Sequence, residues 1–124
     1  YQTAILASLA SRVFSIERLP NLAAEAEVRL TAMGFRNVEI KAGDGTEGWP
    51  DRAPFDAILV AAGGPSIPTP LVSQLRVGGK LIVPVGNSLN SQELMLVTRT
   101  ENGSTEANCG PCAFVPLIGE HGWK

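Results

Sequence analysis

Ala57-Ile-Leu-Val-Ala-Ala62 is an apolar run with no polar face, entered through Ala53-Pro-Phe-Asp56. Such a run suits a parallel strand covered on both sides. The neighbouring segments follow the same grammar. Upstream, Arg12-Val-Phe-Ser-Ile-Glu17 is β-branched and aromatic and ends on a carboxylate, so it reads as a strand. Pro20 then suits a first helical position, Leu22, Ala26, Leu30 and Met33 share one helical face, and Gly34 is a helix stop. Phe35-Arg-Asn-Val-Glu-Ile-Lys41 alternates as a second strand, closed by the turn Gly43-Asp44-Gly45.

Downstream, Pro68 and Pro70 open a short helix through Leu71, Val72 and Leu75, and Gly78-Gly79 is expected to close it. Lys80-Leu-Ile-Val-Pro-Val85 and Glu93-Leu-Met-Leu-Val-Thr98 read as strands. Ala113-Phe-Val-Pro-Leu-Ile118 is expected to be a sixth, beyond the Asn102-Gly103 turn signal. Alternation of strand and helix predicts a doubly wound, mostly parallel α/β sheet, and the last strands, with no helix between them, predict an antiparallel C-terminal edge. Tyr1-Gln-Thr-Ala-Ile-Leu-Ala-Ser-Leu-Ala10 reads as a helix already under way. The expectation is therefore a single domain over 1–124, truncated at its N-terminus and lacking its first strand.

The 124 residues are 44% hydrophobic and 18% charged, which suits one globular core. The net charge of −2 and the absence of Lys/Arg runs argue against a nucleic-acid partner. No apolar stretch reaches the ~18–20 residues of a membrane span, and a cytoplasmic location is expected.

In open α/β sheets ligands bind at the carboxyl ends of strands. Glu17 stands at one such end and offers two acceptor oxygens to a vicinal diol, although strand-end carboxylates are often only solvated surface residues. Asp44 follows the next strand between Gly43 and Gly45, where a flat ring could approach the backbone, or where a tight turn simply uses an Asp. One βαβ unit apart, the two together favour an adenosine site. That arrangement serves nicotinamide enzymes and methyltransferases alike.

Cys109-Gly110-Pro111-Cys112 resembles a thioredoxin redox centre, but a strand-like segment follows it where a helix N-terminus would be needed to activate a thiol. A Gly-Pro turn carrying two thiols is the plainer reading. His121 is the sole histidine, so neither a His-centred metal site nor a Ser-His-Asp triad is expected. Trp49 either walls a pocket or covers the sheet edge, and covering is favoured.

Tyr1-Gln-Thr-Ala4, Phe14-Ser-Ile-Glu-Arg18, Gly43-Asp-Gly-Thr-Glu-Gly-Trp-Pro50, Ala53-Pro-Phe-Asp-Ala-Ile-Leu-Val60, Leu75-Arg-Val-Gly-Gly-Lys-Leu-Ile-Val-Pro-Val-Gly86 and Phe114-Val-Pro-Leu-Ile-Gly119 resemble, in order, successive blocks of the protein-L-isoaspartate O-methyltransferases. The resemblance runs nearly end to end and implies a Rossmann-like methyltransferase fold using S-adenosyl-L-methionine, with S-adenosyl-L-homocysteine as product. It implies that Glu17 binds the cofactor ribose, that Gly43, Asp44 and Gly45 receive the adenine, and that the segment around Ile118 closes over the cofactor. Pro84 and Val85 would lie beside the peptide. The implied acceptor is the α-carboxylate of L-isoaspartyl residues in damaged proteins or peptides.

In the family a serine-containing segment and a glycine-rich cofactor loop precede the position of Tyr1, so catalytic residues are expected upstream. The isolated chain is then expected to be inactive and to self-associate through exposed strand edges. Ala62-Gly63-Gly64-Pro65 departs from the family's alanine run before proline, which weakens acceptor contacts inferred there. A non-catalytic scaffold of the same fold and, more distantly, a thiol-disulfide oxidoreductase using Cys109 and Cys112 are the competing readings.

Overall fold

The computed structural model describes residues 2–88 and 90–124, so Tyr1 lies outside the described residues. Its elements are α1 (Gln2–Leu9), β1 (Val13–Glu17), α2 (Pro20–Ala32), β2 (Val38–Ala42), β3 (Phe55–Leu59), α3 (Thr69–Ser73), β4 (Leu75–Ser88), β5 (Ser91–Thr100) and β6 (Gly103–Cys112). They form two compact units, Tyr1–Gly45 and Thr46–Lys124.

In the first unit β1 and β2 pair in parallel, from Val13 opposite Val38 to Glu17 opposite Ala42. Helix α2 makes the crossover with Pro20 in its first turn. Its inward face is not the expected one: Ala23 and Leu30 are buried and Ala26 half-buried, whereas Leu22 is 41% and Met33 64% exposed. Ala23, Ala26 and Leu30 still keep helical spacing, and the small alanines let the helix backbone approach its neighbours. Gly34 (φ +90°) ends α2 as expected, with the N–H of Phe35 returning to the Leu30 carbonyl at 3.1 Å. Helix α1 is closed by the Asn37 amide, which donates to the carbonyls of Ala7 (2.9 Å) and Ala10 (3.0 Å).

The second unit is a four-stranded sheet in the order β3-β4-β5-β6, parallel only between β3 and β4. Its core is Leu71, Leu75, Leu81, Val83 and Val97, packed against Ile58, Val60, Ile67, Val72, Val85 and Met95. Three expectations need correction.

The apolar run at 57–62 is strand only as far as Leu59, and Ala57 and Leu59 are exposed, so the strand is not covered on both faces. Gly78 and Gly79 do not close α3, which ends at Ser73; they lie inside β4. There Gly78 takes φ +84°, and a Cβ on Gly79 would sit 3.1 Å from the Phe55 and Asp56 carbonyl oxygens, beside the register shift between Phe55 and Ala57.

The last strand is Gly103–Cys112, not residues 113–118. A hairpin pairs Thr100 with Gly103 across Glu101-Asn102, and polar Ser104-Thr105-Glu106 fits an exposed edge because backbone bonds, not side chains, hold the strand. Residues 113–118 contribute only single bridges, from Pro116 to Gly63 and from Ile118 to Trp123.

Candidate functional site

The parallel register of β1 and β2 brings their carboxyl ends level, and the N–H of Gly43 donates to the Glu17 carbonyl at 2.9 Å. Glu17, Gly43, Asp44 and Gly45 are thereby gathered at one end of the two-stranded sheet, all half-buried. One carboxylate oxygen of Glu17 accepts the Leu19 N–H at 3.3 Å, which steadies the side chain at the start of α2 and leaves its other oxygen as an acceptor.

Neither Gly43 nor Gly45 has a positive φ. A Cβ on Gly43 would make only ordinary contact with Lys41, and one on Gly45 would meet nothing within 4 Å. Neither backbone strain nor packing within the chain therefore demands glycine at these positions. Side-chain-free backbone beside a strand-end carboxylate and an Asp suits a flat heterocycle carrying a diol, so the residues present fit the adenosine part of such a cofactor.

In the second unit Pro84, Val85 and Ile118 are tied together through Gly63-Gly64. The Gly64 N–H donates to the Pro84 carbonyl (3.1 Å), and the Gly86 N–H returns to Gly64 (3.0 Å). On the other side the Gly63 N–H donates to Val115 (2.8 Å) and the Leu117 N–H donates to Gly63 (2.9 Å). Pro84 is fully buried, Val85 and Ile118 half-buried. The Trp123 indole N–H donates to the Gly63 carbonyl at 3.0 Å, and the Trp123 backbone N–H to Leu117 at 2.8 Å. The tail around Ile118 is thus folded back and fastened.

Four polar or amphipathic residues in this framework were not singled out from the sequence. Buried Gln92 presents its amide to Phe114 as a strand would, accepting the Phe114 N–H (2.9 Å) and donating to its carbonyl (3.2 Å). Buried Gln74 spans the Glu47 carbonyl and the Trp49 N–H, both at 2.9 Å, beneath Gly48 (φ +67°). Thr46, fully buried, accepts the His121 N–H at 3.1 Å, and Trp123 fastens the tail. The available signals were indirect: glycines at 48, 63 and 64 where another group comes close.

Trp49 is half-buried, and His121 is an exposed tail residue. Among the described residues no group of three or more His, Cys, Asp or Glu could hold a metal ion. Cys109 and Cys112 are free and sit on a strand, not at a helix N-terminus. No helix among the described residues is long and apolar enough to cross a membrane.

Residues 1–122 match the family model described as protein-L-isoaspartate(D-aspartate) O-methyltransferase (PCMT). Protein-L-isoaspartate O-methyltransferase 1 of Syntrophobacter fumaroxidans is 55% identical over 124 residues, covering 100% of this chain and 58% of the relative. Protein-L-isoaspartate O-methyltransferase 2 of Marinobacter nauticus is 52% identical, covering 99% and 57%. The chain thus spans under three-fifths of the length of these curated relatives and matches their C-terminal portion. A solved protein-L-isoaspartate O-methyltransferase superposes with TM-score 0.82 at 28% identity over 90% of this chain and 35% of its own. A Plasmodium falciparum protein assigned to the same activity, solved in complex with S-adenosyl-L-homocysteine, superposes with TM-score 0.73 at 25% identity over 86% and 52%.

Proposed function

Since the chain belongs to the protein-L-isoaspartate(D-aspartate) O-methyltransferase family, we propose that it forms the adenosine-holding and peptide-flanking part of an S-adenosyl-L-methionine-dependent enzyme. That enzyme methylates the α-carboxylate of L-isoaspartyl residues in damaged proteins, in the cytoplasm. The observation that carries this reading is the level pair of strand ends presenting Glu17 beside Gly43-Asp44-Gly45.

When bound, the cofactor supplies an electrophilic methyl group on a sulfonium. Glu17 would hold the ribose hydroxyls with the carboxylate oxygen that Leu19 leaves available, Asp44 would orient the adenine, and Gly43 and Gly45 would leave room for its face. Val85, anchored by the buried Pro84, would flank the peptide, and Ile118 would cover the cofactor. The acceptor α-carboxylate, with a reference pKa of about 3.3–3.7, is already an anion at neutral pH, so no residue of the chain need act as general base. What the protein must supply is alignment, which in well-oriented systems is worth roughly 7–11 kcal/mol of barrier.

The test uses a chimera in which the remaining N-terminal length of the Syntrophobacter fumaroxidans relative precedes Tyr1. It should transfer radiolabelled methyl to an isoaspartyl peptide and not to the same peptide with normal aspartate. Glu17→Ala and Asp44→Ala should each weaken S-adenosyl-L-homocysteine binding, read by titration calorimetry, by about 1.5–3 kcal/mol, the range for hydrogen bonds to charged groups. Folded variants that bind as tightly as the parent would sink the assignment of these residues, and a folded chimera that binds S-adenosyl-L-homocysteine but transfers no methyl would leave a non-catalytic scaffold as the better reading.

A further inference from the structure

The Cys-Gly-Pro-Cys motif plays no part in the proposed reaction, yet the structure places its thiols in a particular way. In a regular strand, residues three apart point to opposite faces. Strand β6 is not regular here. Gln92 pairs with Cys112, Glu93 with Pro111 and Met95 with Asn108, so Leu94 alone faces both Cys109 and Gly110. That is a β-bulge, with Gly110 at φ +108° and its N–H held by the Asn108 side-chain oxygen at 2.8 Å.

Residues directly opposite one another across a ladder share a face. Cys112 therefore lies on the face of Gln92, Cys109 on that of Leu94, and these two neighbours, two apart in β5, share one face. The extra residue has turned an odd spacing into a same-side pair. Cys109 is exposed, Cys112 is half-buried, and both are free thiols.

We propose that Cys109 and Cys112 form a two-thiolate site for a soft monovalent cation, Cu(I) by its chemistry. Thiolates select soft ions, and Cu(I) is content with two of them. Zinc wants four ligands, and among the described residues no third His, Cys, Asp or Glu completes a set with the pair.

The span also favours an ion over a direct disulfide. The positions opposite Gln92 and Leu94 are two residues of rise apart, about 6.8 Å, at the far limit of the roughly 4.4–6.8 Å Cα separation that a disulfide spans. An ion between the sulfurs replaces the one S–S bond with two metal–sulfur bonds and so lengthens the bridge by about one bond. Ligation takes each thiol as its thiolate, so binding releases a proton from each and forms two Cu–S bonds, with no change of oxidation state.

The experiment titrates the 124-residue chain with Cu(I) under anaerobic, reducing conditions against a chromophoric Cu(I) chelator, following stoichiometry and released protons. One ion per chain, two sulfur ligands by X-ray absorption, and affinity rising with pH are expected. Cys109→Ser and Cys112→Ser should each lose more than the roughly 10–100-fold typical of removing an outer-shell partner.

The deciding variant is Pro111→Cys with Cys112→Ser, which keeps two thiols but moves one to the opposite face and should bind as weakly as the single-thiol variants. Circular dichroism of each variant confirms that the strand survives. Equal affinity of parent and Cys109→Ser/Cys112→Ser chain overturns the site. Tight binding by the Pro111→Cys variant, or one ion per two chains, overturns the same-face pairing.

Discussion

Glycines carry two different meanings in this chain, and the difference is measurable. At Gly63 an added Cβ would lie 2.4 Å from the Gln92 amide nitrogen. Gly63→Ala should therefore displace the side chain that satisfies the Phe114 backbone and cost about 1–3 kcal/mol, seen as a lower urea midpoint. At Gly45 the same methyl meets nothing. Gly45→Ala should leave the midpoint within ~0.5 kcal/mol of the parent while weakening S-adenosyl-L-homocysteine binding in the chimera. Unchanged binding would mean that Gly45 is not kept free for the adenine.

The contrast also marks what the sequence disclosed at this scale. Glu17 and Asp44 were legible because a strand-end acid and a glycine-flanked acid are local patterns. Gln74, Gln92 and Thr46 were not, since each is defined by a partner 22 to 75 residues away.

Elements are legible in the sequence where their start and stop signals are local. β1, α2 and β5 fall within a few residues of expectation, because β-branched runs, a proline start and a glycine stop are written in the segment itself. The sixth strand lies away from its expected place because hydrophobicity does not mark an exposed edge strand. Residues 113–118 are apolar where they dock on Gly63, and the real strand, polar and exposed, is placed by its hairpin turn and its backbone ladder to β5.

The short helix α3 offers a test of how such elements are held. Its C-terminal end is closed by Arg99 of β5, whose guanidinium donates to the Ser73 carbonyl (2.7 Å) and to the Leu75 carbonyl (2.5 Å). Arg99→Ala should destabilise the chain by about 1–3 kcal/mol in chemical denaturation. Arg99→Lys should recover only part, because both carbonyls are reached by the single nitrogen Nη1 at the far end of the guanidinium, and the shorter lysine stem carries its ammonium less far. Full recovery by lysine would reduce the contact to charge alone.

At the scale of the molecule, the two units are unequally built. The cluster of Leu71, Leu75, Leu81, Val83 and Val97 belongs wholly to the second, whereas the first relies on Ala7, Val13, Ala23 and Leu30 around two strands. A sheet of two strands is marginal by itself, and so small a unit buries little of its surface. Among the described residues β1 has β2 as its one strand partner and β3 has β4, so each presents an unpaired edge of the kind that recruits another chain. Amide hydrogen exchange should therefore find the slowest protons at Leu81, Val83 and Val97, with Ile16 and Ile40 roughly tenfold or more less protected. The same chain should show concentration-dependent association in analytical ultracentrifugation. In the chimera carrying the relative's N-terminal length, protection should rise most in β1 and β3, and association should disappear if the added segment supplies a strand for those edges. Uniform protection across both sheets in a monomeric chain would show instead that the two strands of the first unit are as secure as the four of the second, and that the unpaired edges carry no cost.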